Sequence, residues 1–220
     1  MFLIPLILMD IIGEAAAALK EGRMLVVYDG DEREGEADLM LSARFATSGA
    51  IETLRREAGG LICAAMGVTE AEKIGLPFFT DLLEQSGSGL KDISCRKTAY
   101  GDKPAFSIPV NHCKVYTGIT DEDRALTMRM LDEVLRERPG DFRKEFYSPG
   151  HVFLLIGRGI ENRKGHTELS LELSKRAGLG GAMVLCEMLG SGRALSKKGA
   201  AEYAKKNGLI FIEGKDISGK

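Results

Sequence analysis

HVFLLIG (151–157), HTELSLELSKRAGL (166–179) and AMVLCEML (182–189) follow one another as strand, helix and strand, and this succession decides the fold class. The first and last are short apolar runs suited to buried strands. The middle one repeats Leu169, Leu173 and Ala177 at helical spacing. Upstream, MLVVY (24–28) is a further strand, after a helix that Asp10 caps and that runs to about Glu21. A helix is predicted over 47–58, a strand in GGLICAAM (59–66), a short helix over 70–74 capped by Thr69, and a strand near 105–110. In ITDEDRALTMRMLDEVLRERPG (119–140), Thr120 is the N-cap, Asp123 holds the capping-box position and Pro-Gly stops the helix. Met128, Leu131 and Leu135 share one of its faces. A helix near 197–206 and the strand LIFIE (209–213) complete the pattern. Strands and helices mixed along one chain predict an α+β fold: a single-domain α/β sandwich over 1–220, with a mixed β-sheet flanked by helices.

The chain has 220 residues, 44% hydrophobic content and a net charge of −2, which suits one sizeable core. Without a long basic run or aromatic-basic interleaving, no nucleic-acid surface is expected. The apolar MFLIPLILM (1–9) is too short to span a bilayer and is expected to be a packed arm rather than a membrane anchor. Cys63, Cys95, Cys113 and Cys186 form no CxxC pair, so neither a zinc site nor a disulfide framework is expected, and reduced thiols in the cytoplasm are. Residues 77–104 lack periodicity, and QSGSG (85–89) marks them as a long loop or an active-site flap.

Chemistry concentrates in two segments. In YDGDEREGEAD (28–38), six carboxylates crowd around a single Arg33. If extended, the segment puts Glu32, Glu34, Glu36 and Asp38 on one face, a set of hard oxygen donors suited to Mg²⁺. A solvated acidic turn is the competing reading. In RKGHTE (163–168), Arg163, Lys164 and Gly165 lead into a helix opened by His166 and Thr167, which makes either a phosphate cradle or a plain N-cap beside a basic loop. His151, after Pro149-Gly150, is a candidate acid or base, and Glu187 is the one carboxylate inside an apolar run. Cys63 reads first as an apolar filler.

Six motifs in order, DGDEREGEADL (29–39), GGLICAAM, TGITDEDRALT (117–127), SPGHVFLL (148–155), RKGHTELSLELSKRAGL (163–179) and AMVLCEML, resemble those of the 3,4-dihydroxy-2-butanone 4-phosphate synthases of riboflavin biosynthesis, in the monofunctional form without an attached GTP cyclohydrolase domain. The resemblance implies a lyase that turns ribulose 5-phosphate into 3,4-dihydroxy-2-butanone 4-phosphate and formate by enolisation, dehydration, rearrangement and loss of C4. It implies Mg²⁺ or Mn²⁺, two ions per site, no redox cofactor, and a homodimer with sites at the subunit boundary. By motif, Glu34 and His166 resemble the metal ligands. Arg33, Glu34, Asp38, Arg163, Lys164, Gly165, His166, Thr167 and Glu187 resemble the substrate-binding residues. His151 and Glu187 resemble the proton-transfer pair, with Glu36, Cys63 and Thr117 as lining. Two departures stand out: the segment between His151 and His166 is shorter than is usual, and Lys164 occupies a position that is usually small. The rival readings are another metal-dependent sugar-phosphate enzyme, an isomerase or aldolase, and a phosphate- or metal-binding module without catalysis.

Overall fold

The computed structural model describes residues 10–87, 89–94 and 101–219. The arm 1–9, Ser88 of the QSGSG stretch and Cys95 lie outside the described residues. Among the described residues no helix is long and apolar enough to cross a membrane.

The chain begins with α1 (Ile11–Lys20), whose N-cap Asp10 accepts from the Gly13 amide at 2.7 Å. Then come β1 (Leu25–Tyr28), β2 (Ala37–Ser42), α2 (Ser48–Thr53), β3 (Cys63–Gly67) and α3 (Val68–Ile74). The short helices α4 (Phe79–Gln85) and α5 (Lys91–Ser94) precede β4 (Val110–His112) and the long α6 (Asp121–Glu137). The remainder is α7 (Phe142–Glu145), β5 (Phe146–Gly157), α8 (His166–Arg176), β6 (Met183–Glu187), α9 (Lys197–Lys206), β7 (Ile210–Glu213) and α10 (Gly214–Ser218).

The seven strands form one mixed sheet in the order β4-β5-β3-β6-β2-β1-β7. β1 and β2 pair antiparallel, β3 and β5 parallel, and β2 and β3 flank β6 antiparallel. Alternate residues of each strand face opposite sides. Val26, Leu39, Leu41, Ala64, Val184 and Ile156 meet one helical layer that contains α2, α6 and α9. Leu25, Val27, Met40, Ala65, Met183 and Leu185 meet the other, from α1, α8 and α10. Each fully buried Leu or Ile in these layers contributes roughly 1.5–3 kcal/mol. The predicted α/β sandwich is therefore the observed one.

Several local expectations are corrected. The acidic run is not extended: residues 31–34 form a turn, with Gly30 at φ 137° and Gly35 at φ 69°, so Glu32 faces solvent and does not share a face with Asp38. β2 follows that turn where no strand was expected; all six of its residues are buried, which erases the alternation that betrays a half-exposed strand. Thr69 does not cap α3, which starts at Val68 with Gly67 as its N-cap. The strand near 105–110 is a single bridge from Phe106 to Leu155 followed by β4. Within 77–104 the described residues include α4 and α5 rather than loop alone. Thr120 does cap α6, accepting from the Asp123 amide at 3.1 Å, but the Asp123 carboxylate accepts from the amides of Tyr116, Thr117 and Gly118 instead of closing a capping box.

Candidate active site

Hairpin geometry fixes the acidic turn. Asp29 leaves the end of β1 with its side chain buried and accepts from the amides of Glu34 and Glu36, each at 3.0 Å. Those two bonds close the loop and hold Glu34 above the sheet. Asp38, one step into β2, stands opposite Glu187 of β6, so two carboxylates from neighbouring strands share one end of the sheet.

Across from them α8 begins at His166, with Gly165 as N-cap. A side chain at Gly165 would collide with the guanidinium of Arg163, so glycine lets that arginine fold back over the helix start. Arg163 then donates from Nη1 to Glu168 Oε2 at 2.7 Å, while its Nη2 lies 3.7 Å from Glu34 and its Nε 3.3 Å from Asp102. Arg33 mirrors it, 3.7 Å from Glu34 and 3.3 Å from Asp102. Glu34 and Asp102 thus each bridge the two guanidiniums. Glu168 is fixed in turn by the Arg158 amide at 3.0 Å.

Beside these groups lies a cavity of about 240 Å³. Glu34, Asp38, Glu187, Arg163, His166 and Thr167 supply its polar wall. Cys63, Ala105, Phe106, Leu155 and Leu185 supply its apolar wall. The Glu187 carboxylate is held by the Leu61 amide at 2.8 Å, and a side chain at Gly60 would collide with it. Burial pushes the Cys63 thiol well above its usual range, with Glu187 and Asp38 adding to the effect, so it lines the wall as a neutral thiol.

Burial likewise pushes the Asp38 carboxyl up to about 7; His166 pulls it down, and Glu187, Glu34 and Glu36 push it further up. Burial opposes the His166 imidazolium, yet the carboxylates of Asp38, Asp29, Glu34 and Glu187 outweigh it and raise its pKa. Burial, then Glu34, raises Glu36. The site without a cation therefore retains protons near neutrality. Ligand atoms of Asp29, Glu34 and His166 lie within 4.8 Å of one another, and Asp38 Oδ1 is buried without a hydrogen-bond partner among the described residues. This set fits a divalent ion. His166 Nε2 lies 3.2 Å from the Glu36 carbonyl, which accepts its proton and leaves Nδ1 to face Asp38.

Other expected residues lie outside the cavity. Arg33 and Lys164 line a neighbouring pocket with Lys197 and Lys215, and Lys164 is exposed. Glu36 and Gly165 support the wall through their backbones. His151 and Thr117 are exposed and do not line the cavity. Asp29, Asp102, Phe106 and Glu168 were not singled out from the sequence as site residues. Asp29 had a signal, its place in the acidic run; Asp102 reaches Arg33 across 69 positions, a contact no local pattern announces.

A profile of the family described as 3,4-dihydroxy-2-butanone 4-phosphate synthase matches residues 13–219. The enzyme of that name from Methanothermobacter thermautotrophicus is 41% identical over 214 residues, which cover 94% of this chain and 93% of the relative. Its namesake from Archaeoglobus fulgidus is 41% identical over 218 residues, covering 93% and 91%. Among solved structures, a 3,4-dihydroxy-2-butanone 4-phosphate synthase in complex with two magnesium ions superposes with a TM-score of 0.75 at 28% identity, covering 95% of each chain. The acidic turn, the start of α8 and the Glu187 strand all fall inside the matched span, and the chain belongs to the 3,4-dihydroxy-2-butanone 4-phosphate synthase family.

Proposed function

We propose that this chain, as one domain, converts D-ribulose 5-phosphate into L-3,4-dihydroxy-2-butanone 4-phosphate and formate, the lyase step that feeds riboflavin biosynthesis. The observation that carries the reading is the single cavity joining Glu34, Asp38, Arg163, His166, Thr167 and Glu187. Substrate and products balance without gain or loss of electrons: the C4 unit leaves as formate, and the remaining four carbons keep the phosphate. No redox cofactor is required.

In this reading the phosphate lies against the start of α8, where the free amides after Gly165 and the guanidinium of Arg163 offer donors and positive charge. Asp38 orients the sugar hydroxyls from the cavity wall, and Arg33 acts from the adjoining pocket through Glu34, which it meets at 3.7 Å. Asp29, Glu34 and His166 hold Mg²⁺ or Mn²⁺, with two ions per site as the finer reading. A divalent cation there supplies polarisation of the carbonyl and counter-charge for oxygens that gain negative charge. Glu187 moves a proton on one side of the sugar, and its bond to the Leu61 amide keeps one carboxylate oxygen fixed while the other works. The apolar wall of Phe106, Leu155 and Leu185 limits water around intermediates.

His151 is the second proton-transfer residue. Its exposure outside the cavity supports a homodimer in which each copy completes the other's site. Free thiols at Cys63, Cys113 and Cys186 support a reducing, cytoplasmic setting. The test is product analysis: purified protein with Mg²⁺ and ribulose 5-phosphate releases formate. A sugar-phosphate isomerase or aldolase would give an epimer, isomer or triose and no formate; a binding module would give no product.

A further inference from the structure

We infer that Asn111 is a positioning residue that sets the tautomer of His151, and so makes His151 a hydrogen-bond donor through Nε2–H toward a substrate oxygen rather than the base that removes the first proton. The inference rests on the reading of His151 as a residue that meets the substrate, and narrows its part in proton transfer to hydrogen-bond donation.

Asn111 is 2% exposed and lies in β4, opposite the start of the longer strand β5. Its Oδ1 accepts from the His151 amide at 2.8 Å. That bond settles the orientation of the amide, because a backbone N–H needs an acceptor and the Asn111 NH₂ group is not one. The NH₂ group therefore faces the other way. One of its hydrogens goes to the Tyr147 hydroxyl at 3.1 Å and the other to His151 Nδ1 at 3.2 Å. With a donor aimed at Nδ1, that nitrogen must offer its lone pair, and the neutral ring carries its proton on Nε2.

Two glycines make the arrangement rigid. Gly118, at φ 92°, lies flat against the Asn111 amide, where a Cβ would collide with its carboxamide atoms. Gly150 lets β5 approach the Val110–Asn111 backbone where a Cβ would meet main-chain atoms directly. The TGIT and SPGH motifs therefore meet at one carboxamide, which brings Thr117 into the neighbourhood of His151 although neither lines the cavity of its own chain.

The chemical consequence is a division of labour. A neutral imidazole with Nε2–H can donate a hydrogen bond that polarises a carbonyl or hydroxyl oxygen while it keeps its own proton. Taking a proton at Nδ1 would set two N–H groups against each other. The base role is left to a carboxylate, and Glu187 is the one anchored in the cavity wall.

The test is nitrogen NMR on protein labelled with ¹⁵N-histidine; with three histidines, His151 is assigned by its loss in His151→Gln. In the wild-type protein the neutral His151 ring is expected to carry its proton at Nε2 and to be bare at Nδ1. Asn111→Asp keeps an acceptor for the His151 amide but replaces the donor at Nδ1, and is expected to move the proton to Nδ1. It is also expected to lower kcat roughly 10-fold or more with KM within about threefold. A wild-type ring protonated at Nδ1, or an Asn111→Asp ring with unchanged tautomer, overturns the inference. The wild-type tautomer is read without Asn111→Asp, so it does not depend on that variant folding. Full turnover in His151→Gln would instead overturn the reading of His151 itself while the tautomer stays measurable.

Discussion

His166 Nδ1 lies 3.5 Å from Asp38 Oδ1, with both side chains buried and both titrations shifted upward. Burial is the largest influence on Asp38, and the neighbouring carboxylates Glu187, Glu34 and Glu36 reinforce it. The pair therefore holds on to protons to higher pH than free side chains do, beside the groups that would bind a divalent ion.

Cation binding should displace that proton. Mg²⁺ affinity is expected to rise as pH climbs through about 7, where Asp38 ionises, and to level off above it. Titration calorimetry in two buffers of different ionisation enthalpy should report proton release below pH 7. Asp38→Asn should remove most of that release. Chelation should abolish turnover, and added Mg²⁺ should restore it.

The same shifts act on stability in the metal-free protein. Asp38 ionises near 3.9 in the unfolded chain and at about 7 in the folded one, so its contribution is present below about 4 and is lost as pH rises through 7. His166, raised from about 6.5, contributes below that value and loses its contribution as pH rises through its folded value. Both slopes have one sign and His112, whose imidazole burial lowers, has the other, so the part of the melting-temperature change due to Asp38 is a fall between about pH 4 and pH 7 in metal-free protein. Asp38→Asn should flatten the fall. A steeper fall in that variant would contradict the assignment.

Glu168 is the buried anchor of Arg163, at 2.7 Å. Glu168→Gln weakens a charge-assisted bond at a cost of about 1.5–3 kcal/mol and leaves the guanidinium to Glu34 and Asp102. KM for ribulose 5-phosphate should rise about 10-fold or more, and kcat should change less. Steady-state kinetics separate the two; an unchanged KM would show that Arg163 does not hold the phosphate.

His151→Ala and Glu187→Ala should each cut turnover roughly 10²-fold or more. If the partner supplies His151, mixing the two variants rebuilds complete sites in mixed dimers, and activity should recover to about a quarter of wild type for random assortment. No recovery after verified subunit exchange would put His151 in its own chain's site or outside catalysis.

The parts of the fold that were legible share a physical feature. HVFLLIG and AMVLCEML are short apolar runs bounded by breakers, and α6 carries its cap, its stripe and its stop in one segment. β2 was not legible, because it is buried on both faces and begins inside the acidic run, with Asp38 as its second residue. Glu34 and His166 stood out by motif, and the hairpin and the start of α8 bring them together with Asp29. Asp102 and Asn111 escaped notice because their partners, Arg33 and His151, lie 69 and 40 positions away. Polar residues of that kind become informative only once the sheet order is known.

The most direct measurement follows the carbon that is lost. With ribulose 5-phosphate labelled with ¹³C at C4 alone, purified protein and Mg²⁺ should yield labelled formate and unlabelled 3,4-dihydroxy-2-butanone 4-phosphate in equal amounts. Label retained in a phosphorylated product, with no formate, would contradict the account.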